Sequence, residues 1–138
     1  MEQGKPLVTV IIPTHDHAPF IARAVESVLA QKTTFPFDVL IHDDASTDGT
    51  AEIVKRYAAQ YPDKISLIAQ TENQYQRDKK IQTHILYPRI TAKYTAICDG
   101  DDLWTNERKL QLQVDYLEQH PDCTLCIGAA NLVDVKDR

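Results

Sequence analysis

The chain has 138 residues, 43% of them hydrophobic, which is enough for one domain with a real core and too few for two ordinary domains. Its 15 basic and 20 acidic side chains give a net charge of -5, and this excludes a general nucleic-acid binder, because neutralising phosphates needs a basic face. No apolar run approaches the roughly 20 residues of a membrane span, and the opening Met-Glu-Gln-Gly-Lys lacks the basic-then-apolar order of a signal peptide. The expected location is therefore the cytoplasm, with no transmembrane segment in this chain.

Residues 7–12 (Leu-Val-Thr-Val-Ile-Ile) form a β-branched run ended by Pro13, which reads as a central parallel strand covered on both faces. Residues 18–31 follow with Ile21, Ala24, Val25, Val28 and Leu29 at helical spacing and Pro19 near the first turn. Residues 37–42 make a second strand that ends in Asp43-Asp44-Ala45-Ser46-Thr47-Asp48-Gly49-Thr50. Ser46, Thr47 or Asp48 can cap a helix over about 51–61, with Ile53, Val54, Tyr57 and Ala58 on one side. That cap leaves Asp43 and Asp44 unexplained. Residues 65–69 are a third strand. The polar stretch 71–80 leads into a helix up to about residue 92, kinked or split at Pro88.

Residues 94–98 (Tyr-Thr-Ala-Ile-Cys) have the length and β-character of a buried strand, and it stops at Asp99-Gly100-Asp101-Asp102. Thr105 or Asn106 can then cap a helix to about His120 with Leu110, Val114 and Leu117 inward, and residues 123–128 read as a fifth strand. Cys98, Cys123 and Cys126 lie in or near apolar segments and read as reduced small hydrophobes; the single C-x-x-C pair has no further ligands at zinc spacing. Asp134 and Asp137 read as exposed turn acids, and His17, His84 and His120 as surface or helix-face histidines. His42 is open to a supporting role beside Asp43. The summed pattern is α/β: an open, mainly parallel Rossmann-like sheet with helices on both faces.

Open α/β sheets bind ligands at the carboxyl ends of their strands, and two strand ends here are acidic. Packed carboxylates repel unless a cation sits among them, and hard oxygen donors on a short turn suit Mg²⁺ or Mn²⁺ better than zinc. The competing reading of the second cluster is an acidic turn that caps the next helix. Gly4, Gly49, Gly100 and Gly128 are too scattered for either glycine-rich phosphate cradle. A metal bridging carboxylates to a diphosphate is the remaining device, with Asp43 placed to bond a base or ribose.

Three ordered stretches carry a family resemblance. Val8-Thr-Val-Ile-Ile-Pro-Thr14 looks like the opening strand of the family 2 glycosyltransferases, which have the GT-A fold; Asp43-Asp44-Ala-Ser-Thr-Asp-Gly-Thr50 looks like their D-D-[GA]-S-x-D-x-T motif, and Cys98-Asp-Gly-Asp-Asp102 like their D-x-D motif. The resemblance runs over about residues 7–122, and residues 98–105 with 109–114 are similar to a bacterial branch that assembles envelope polysaccharide. It implies that residues 1–138 are the donor-binding part of a single catalytic domain. Pro13, Thr14 and His15 would line the base pocket, Asp43 would bond the base or ribose, Asp99 would approach ribose or metal, and Asp101 would ligate the metal. Asp102 would support the same site, and Gly100 would count with it among the substrate-binding residues. The implied cofactor is Mn²⁺ or Mg²⁺, the donor a nucleoside-diphosphate sugar, here with UDP expected, and the acceptor a saccharide or lipid-linked sugar. The reaction would be inverting, and the full-length protein would lie peripheral to the inner membrane.

The chain departs from the family pattern in places. His15-Asp16 stands where the family has Tyr-Asn, and 72–80 lacks the family's glycine. Arg77, Lys79 and Lys80 are read as a solvated basic face with phosphate contact as the alternative. The family's general base comes from a later motif, expected beyond Arg138, so this stretch alone should bind donor and hardly turn it over. Two other classes compete. A sugar-nucleotide pyrophosphorylase would need a glycine-rich basic loop after strand one, and a phospho-accepting module would carry its acids after strands one and three.

Overall fold

The computed structural model describes residues 4–133 and contains a four-stranded, all-parallel sheet. The strands are β1 (Val8–Thr14), β2 (Phe37–Asp43), β3 (Ile65–Ala69) and β4 (Tyr94–Ile97), in the order β3-β2-β1-β4. The helices are α1 (Ile21–Leu29), α2 (Thr50–Gln60), the one-turn α3 (Gln74–Arg77) and α4 (Lys109–Gln119). Asp134 and Asp137 lie outside the described residues.

Successive side chains of a strand alternate between faces. Val8, Val10 and Ile12 of β1 therefore pack with Ile21, Ala24, Val25 and Val28 of α1, Val54 of α2, and Leu110 and Val114 of α4. Ile11 and Leu40 face the other way and meet Ile81 and Leu86 in a smaller cluster. Both faces of the sheet are covered, one by long helices and the other by short helical turns. The helical stretch expected up to about residue 92, kinked or split at Pro88, is split into a π-helical turn over Gln82–Leu86 and a 3₁₀ turn over Tyr87–Arg89, and it ends there rather than near 92. Pro88 has no N–H to donate back along a regular helix, which breaks the run there.

The other departures have equally local causes. β1 runs past Pro13 to Thr14, with Pro13 in register with His42. α1 begins three residues later than expected, because the carbonyl of His17 accepts from the N–H groups of Phe20 and Ile21 and forms a turn first. α4 also starts late, at Lys109, since Asn106 takes the Arg108 N–H on its side chain and the Lys109 N–H on its carbonyl. β4 pairs only with β1 and is an edge strand, not a buried one, with Ile97 47% exposed. The fifth strand expected over 123–128 is not formed: Leu125 and Ile127 are 71% and 80% exposed. β-propensity reflects fit to a neighbouring ladder, and that segment pairs with none of the four strands.

From β1 the chain steps outward to β2 and β3, then crosses to place β4 on the opposite side of β1. The reversal opens a crevice at the carboxyl ends of β1 and β4, where such sheets bind ligands.

Candidate active site

The last carbonyls of β1 tie together the loops that follow its two neighbours. Thr14 O accepts from Asp44 N at 3.0 Å, and Pro13 O accepts from Gly100 N at 2.9 Å. Gly100 is held so close to β1 that a Cβ there would lie 2.4 Å from Thr14 Oγ1 and 2.7 Å from His17 Nδ1. Glycine is required at this position by the close approach of the turn to the Thr14 and His17 side chains.

The loop after β2 is bonded internally and to the loop after β1. Asp43, 1% exposed, takes the Ser46 hydroxyl at 2.5 Å and the Ser46 N–H at 3.4 Å. Asp44 is also buried, and its two carboxylate oxygens accept from the N–H groups of Gln74 and Tyr75 at 2.6 and 3.0 Å, which anchors α3 over the loop. Asp48 accepts from Thr50 N, Thr50 Oγ1 and Ala18 N. Burial pushes its carboxyl up, but these bonds, the Thr50 hydroxyl foremost, outweigh that and hold it below the usual value. Thr47 N donates to Asp16 Oδ1 and Asp16 N donates to Ser46 Oγ. Asp16 and Ala45 carry φ of 53° and 58°, a left-handed conformation uncommon outside glycine.

The turn after β4 has a different character. Ligand atoms of Asp99, Asp101 and Asp102 lie within 4.8 Å of one another, and the side chains are exposed or half-exposed. Desolvation first, then the charges of Asp102 and Asp101, raise the Asp99 carboxyl above its ordinary value, with only His17 opposing. Three hard oxygen donors at this spacing fit a Mg²⁺ or Mn²⁺ ion. Beneath the turn, burial and then the charges of Asp102 and Asp99 push the Cys98 thiol up to about 12, which leaves it unreactive at neutral pH.

Between these loops lies a cleft of about 360 Å³ lined by Pro13, Thr14, His15, His17, His42, Asp44, Tyr75, Ile81, Gln82, Asp99 and Asp101. Of the residues expected from sequence, Pro13, Thr14, His15, Asp99 and Asp101 line it directly. Gly100 and Asp102 sit in its acidic turn, whereas Asp43 is tied down under the loop and Asp44 takes the place on the wall. His15 Nδ1 lies 2.7 Å from Asp44 O. Arg77 pairs with Glu72 and Lys79 rests over the Tyr75 ring, so neither enters the cleft wall.

Sequence reasoning missed Asp44's place, Tyr75 and His17. The half-exposed Tyr75 ring stands at the cleft by virtue of α3, a one-turn helix with no periodicity to read. His17, assigned to the surface, reaches instead into the cleft, with Nδ1 3.0 Å from Thr14 Oγ1 and Nε2 3.9 Å from Asp101 Oδ2. The only signal for it is its distance of two residues from His15.

With this geometry in place, the match to known proteins is specific: the profile described as Glycosyl transferase family 2 covers residues 9–136. The chain belongs to that family. Among the relatives, EpsE of Bacillus subtilis, which carries a glycosyltransferase name, is 40% identical over 115 residues, or 83% of this chain and 40% of EpsE. A solved structure of the mannosyltransferase PcManGT from Pyrobaculum calidifontis, in complex with GDP-Man and Mn²⁺, superposes with a TM-score of 0.64 at 32% identity, over 83% of this chain and 33% of that one. The S. aureus protein TarS, solved with UDP, superposes with a TM-score of 0.67 at 24% identity over 83% of this chain and 32% of that one, a likeness of fold. The chain thus has the GT-A fold and spans two fifths or less of each of these three proteins. No helix among the described residues is long and apolar enough to cross a membrane.

Proposed function

We propose that this chain is the donor-binding part of a metal-dependent, inverting glycosyltransferase that takes a nucleoside-diphosphate sugar, with UDP as the expected nucleotide. The observation that carries the reading is the trio of carboxylates within 4.8 Å of one another, across the β1/β4 crevice from Pro13, Thr14 and His15, in a family 2 chain. Asp101 and Asp99 are the assigned metal ligands, with Asp102 supporting them. A divalent cation there supplies Lewis-acid neutralisation of the charge that develops on the departing diphosphate.

The chain's own groups orient the donor. His15 and Tyr75 offer ring faces for the base, and Pro13 and Thr14 form the floor of its pocket. Asp43 acts on base or ribose through the loop it braces. The acceptor hydroxyl, on a saccharide or lipid-linked sugar, attacks the anomeric carbon as the bond to the diphosphate oxygen breaks; the electron pair leaves with the diphosphate, and the hydroxyl proton passes to a base beyond Arg138. Attack opposite the leaving group inverts the anomeric centre.

The test is calorimetric titration of the chain with UDP, and with GDP as control, in the presence and absence of Mn²⁺. Expected is metal-dependent binding that Asp101→Ala weakens by about 100-fold or more, since losing even a group that only orients a ligand costs about 10- to 100-fold. Nucleotide binding indifferent to the metal would overturn the reading.

A further inference from the structure

We propose that His17 is a positioning residue for Asp101, its imidazole bridging Thr14 at the end of β1 to the carboxylate of the acidic turn and fixing how that carboxylate is presented to a divalent cation. The inference rests on the reading of Asp101 as a metal ligand and adds a residue to it that no motif contains.

The backbone of His17 is held on both sides. Its N–H donates to Thr50 Oγ1 at 2.9 Å, and its carbonyl accepts from Phe20 N and Ile21 N at 2.9 and 2.8 Å at the start of α1. The half-buried ring then leans across the crevice. With the ring proton assigned to Nε2, on the side that faces the carboxylate, Nδ1 is the acceptor for the Thr14 hydroxyl. The 3.9 Å from Nε2 to Asp101 Oδ2 is longer than a direct hydrogen bond, a gap that a small carboxylate rotation would close.

The middle of the acidic turn is seated against the same pair. A Cβ at position 100 would collide with Thr14 Oγ1 and His17 Nδ1, so only glycine lets the turn sit against this pair, where its N–H is bonded to Pro13 O. The turn's backbone is thus located by β1, and its Asp101 side chain by the imidazole. His17 joins all three loops, through Thr14, Thr50 and Asp101. Groups that orient a metal-ligating carboxylate commonly matter about 10- to 100-fold for metal affinity.

The experiment is Mn²⁺ titration of the chain, read by the electron paramagnetic resonance signal of the free ion, on wild type, Asp101→Asn, His17→Phe, His17→Asn and His17→Gln. Asparagine can replace Nδ1 toward Thr14 but cannot reach Asp101; glutamine can place an N–H where Nε2 was. The expected result is affinity about tenfold weaker in His17→Phe and His17→Asn and near wild type in His17→Gln. Equal affinity in all three variants, or equal losses in His17→Asn and His17→Gln, overturns the proposal, the second outcome being that of a packing role. In both cases loss of binding in Asp101→Asn leaves the metal site standing. No Mn²⁺ binding by wild type would overturn the metal site and this proposal together. Should His17→Phe unfold by circular dichroism, the asparagine and glutamine pair still decides.

Discussion

The loop after β2 and the turn after β4 each carry three aspartates at the same edge of one sheet, and the two sets live in opposite electrostatic circumstances. Asp43, Asp44 and Asp48 are surrounded by N–H and O–H donors from Ser46, Gln74, Tyr75, Thr50 and Ala18. Ligand atoms of Asp99, Asp101 and Asp102 lie within 4.8 Å of one another, and the charges of Asp102 and Asp101 help raise the Asp99 carboxyl. The first set has its charge answered by the fold and serves as scaffold. The second concentrates like charge where the sheet opens. Residue type alone does not distinguish a structural acid from a ligand; the supply of donors around it does.

The sharpest way to break this comparison is to remove a scaffold acid. Asp44→Ala would leave the N–H groups of Gln74 and Tyr75 without their carboxylate and free α3 from the loop. Charge-assisted bonds to a buried carboxylate are worth about 1.5–3 kcal/mol each, so a loss near 3 kcal/mol is expected, read as a lower urea midpoint. A midpoint within error of wild type would mean that α3 is held by something else.

A smaller effect follows from His42, buried at the end of β2. Burial foremost, opposed by Asp44 and Asp43, holds its pKa below the ordinary 6.5. The folded state therefore keeps the ring neutral. Stability is fully present above about pH 6.5 and falls as pH drops toward the depressed value, by up to about 1.4 kcal/mol for each unit of pH crossed. Urea titrations between pH 7 and 5 should show this decline, and His42→Gln should flatten it; a decline identical in the variant would move the cause to another group.

The same contrast explains how much of the fold and of the site is legible in the amino-acid sequence. β2 and β3 are legible because short stretches rich in apolar and β-branched residues are a local property, and the start of β1 is legible for the same reason. The acidic turn is legible because its charges are adjacent along the chain. The roles of Asp44 and His17 are not, since each depends on which loops the crossover from β3 to β4 brings together. Asp43 and Asp44 look equivalent in sequence, yet one points under its own loop and the other onto the cleft wall. Residues 123–128 mislead in the other direction: their β-character is real, but a strand exists only with a partner edge, and local sequence does not supply one.

The most delicate test sits in the acidic turn itself. The raised carboxyl of Asp99 means that its ionised form costs stability in the folded state, a cost present above the folded pKa and absent once pH falls below the ordinary 3.8. Asp99→Asn should therefore stabilise the chain at neutral pH in the absence of divalent cations, the reverse of Asp44→Ala. Its side chain is exposed, so solvent screening holds the gain to about 0.5 kcal/mol or less. The gain should shrink when salt is raised from about 0.01 to 1 M, because the Debye length falls from about 30 to 3 Å. Added Mn²⁺ should invert the order, because the ion answers the repulsion that the substitution had relieved. Thermal unfolding of the two proteins in low salt, high salt and Mn²⁺ measures all three. A variant less stable than wild type in low salt without metal would place Asp99 with the scaffold acids and dissolve the distinction between the two loops.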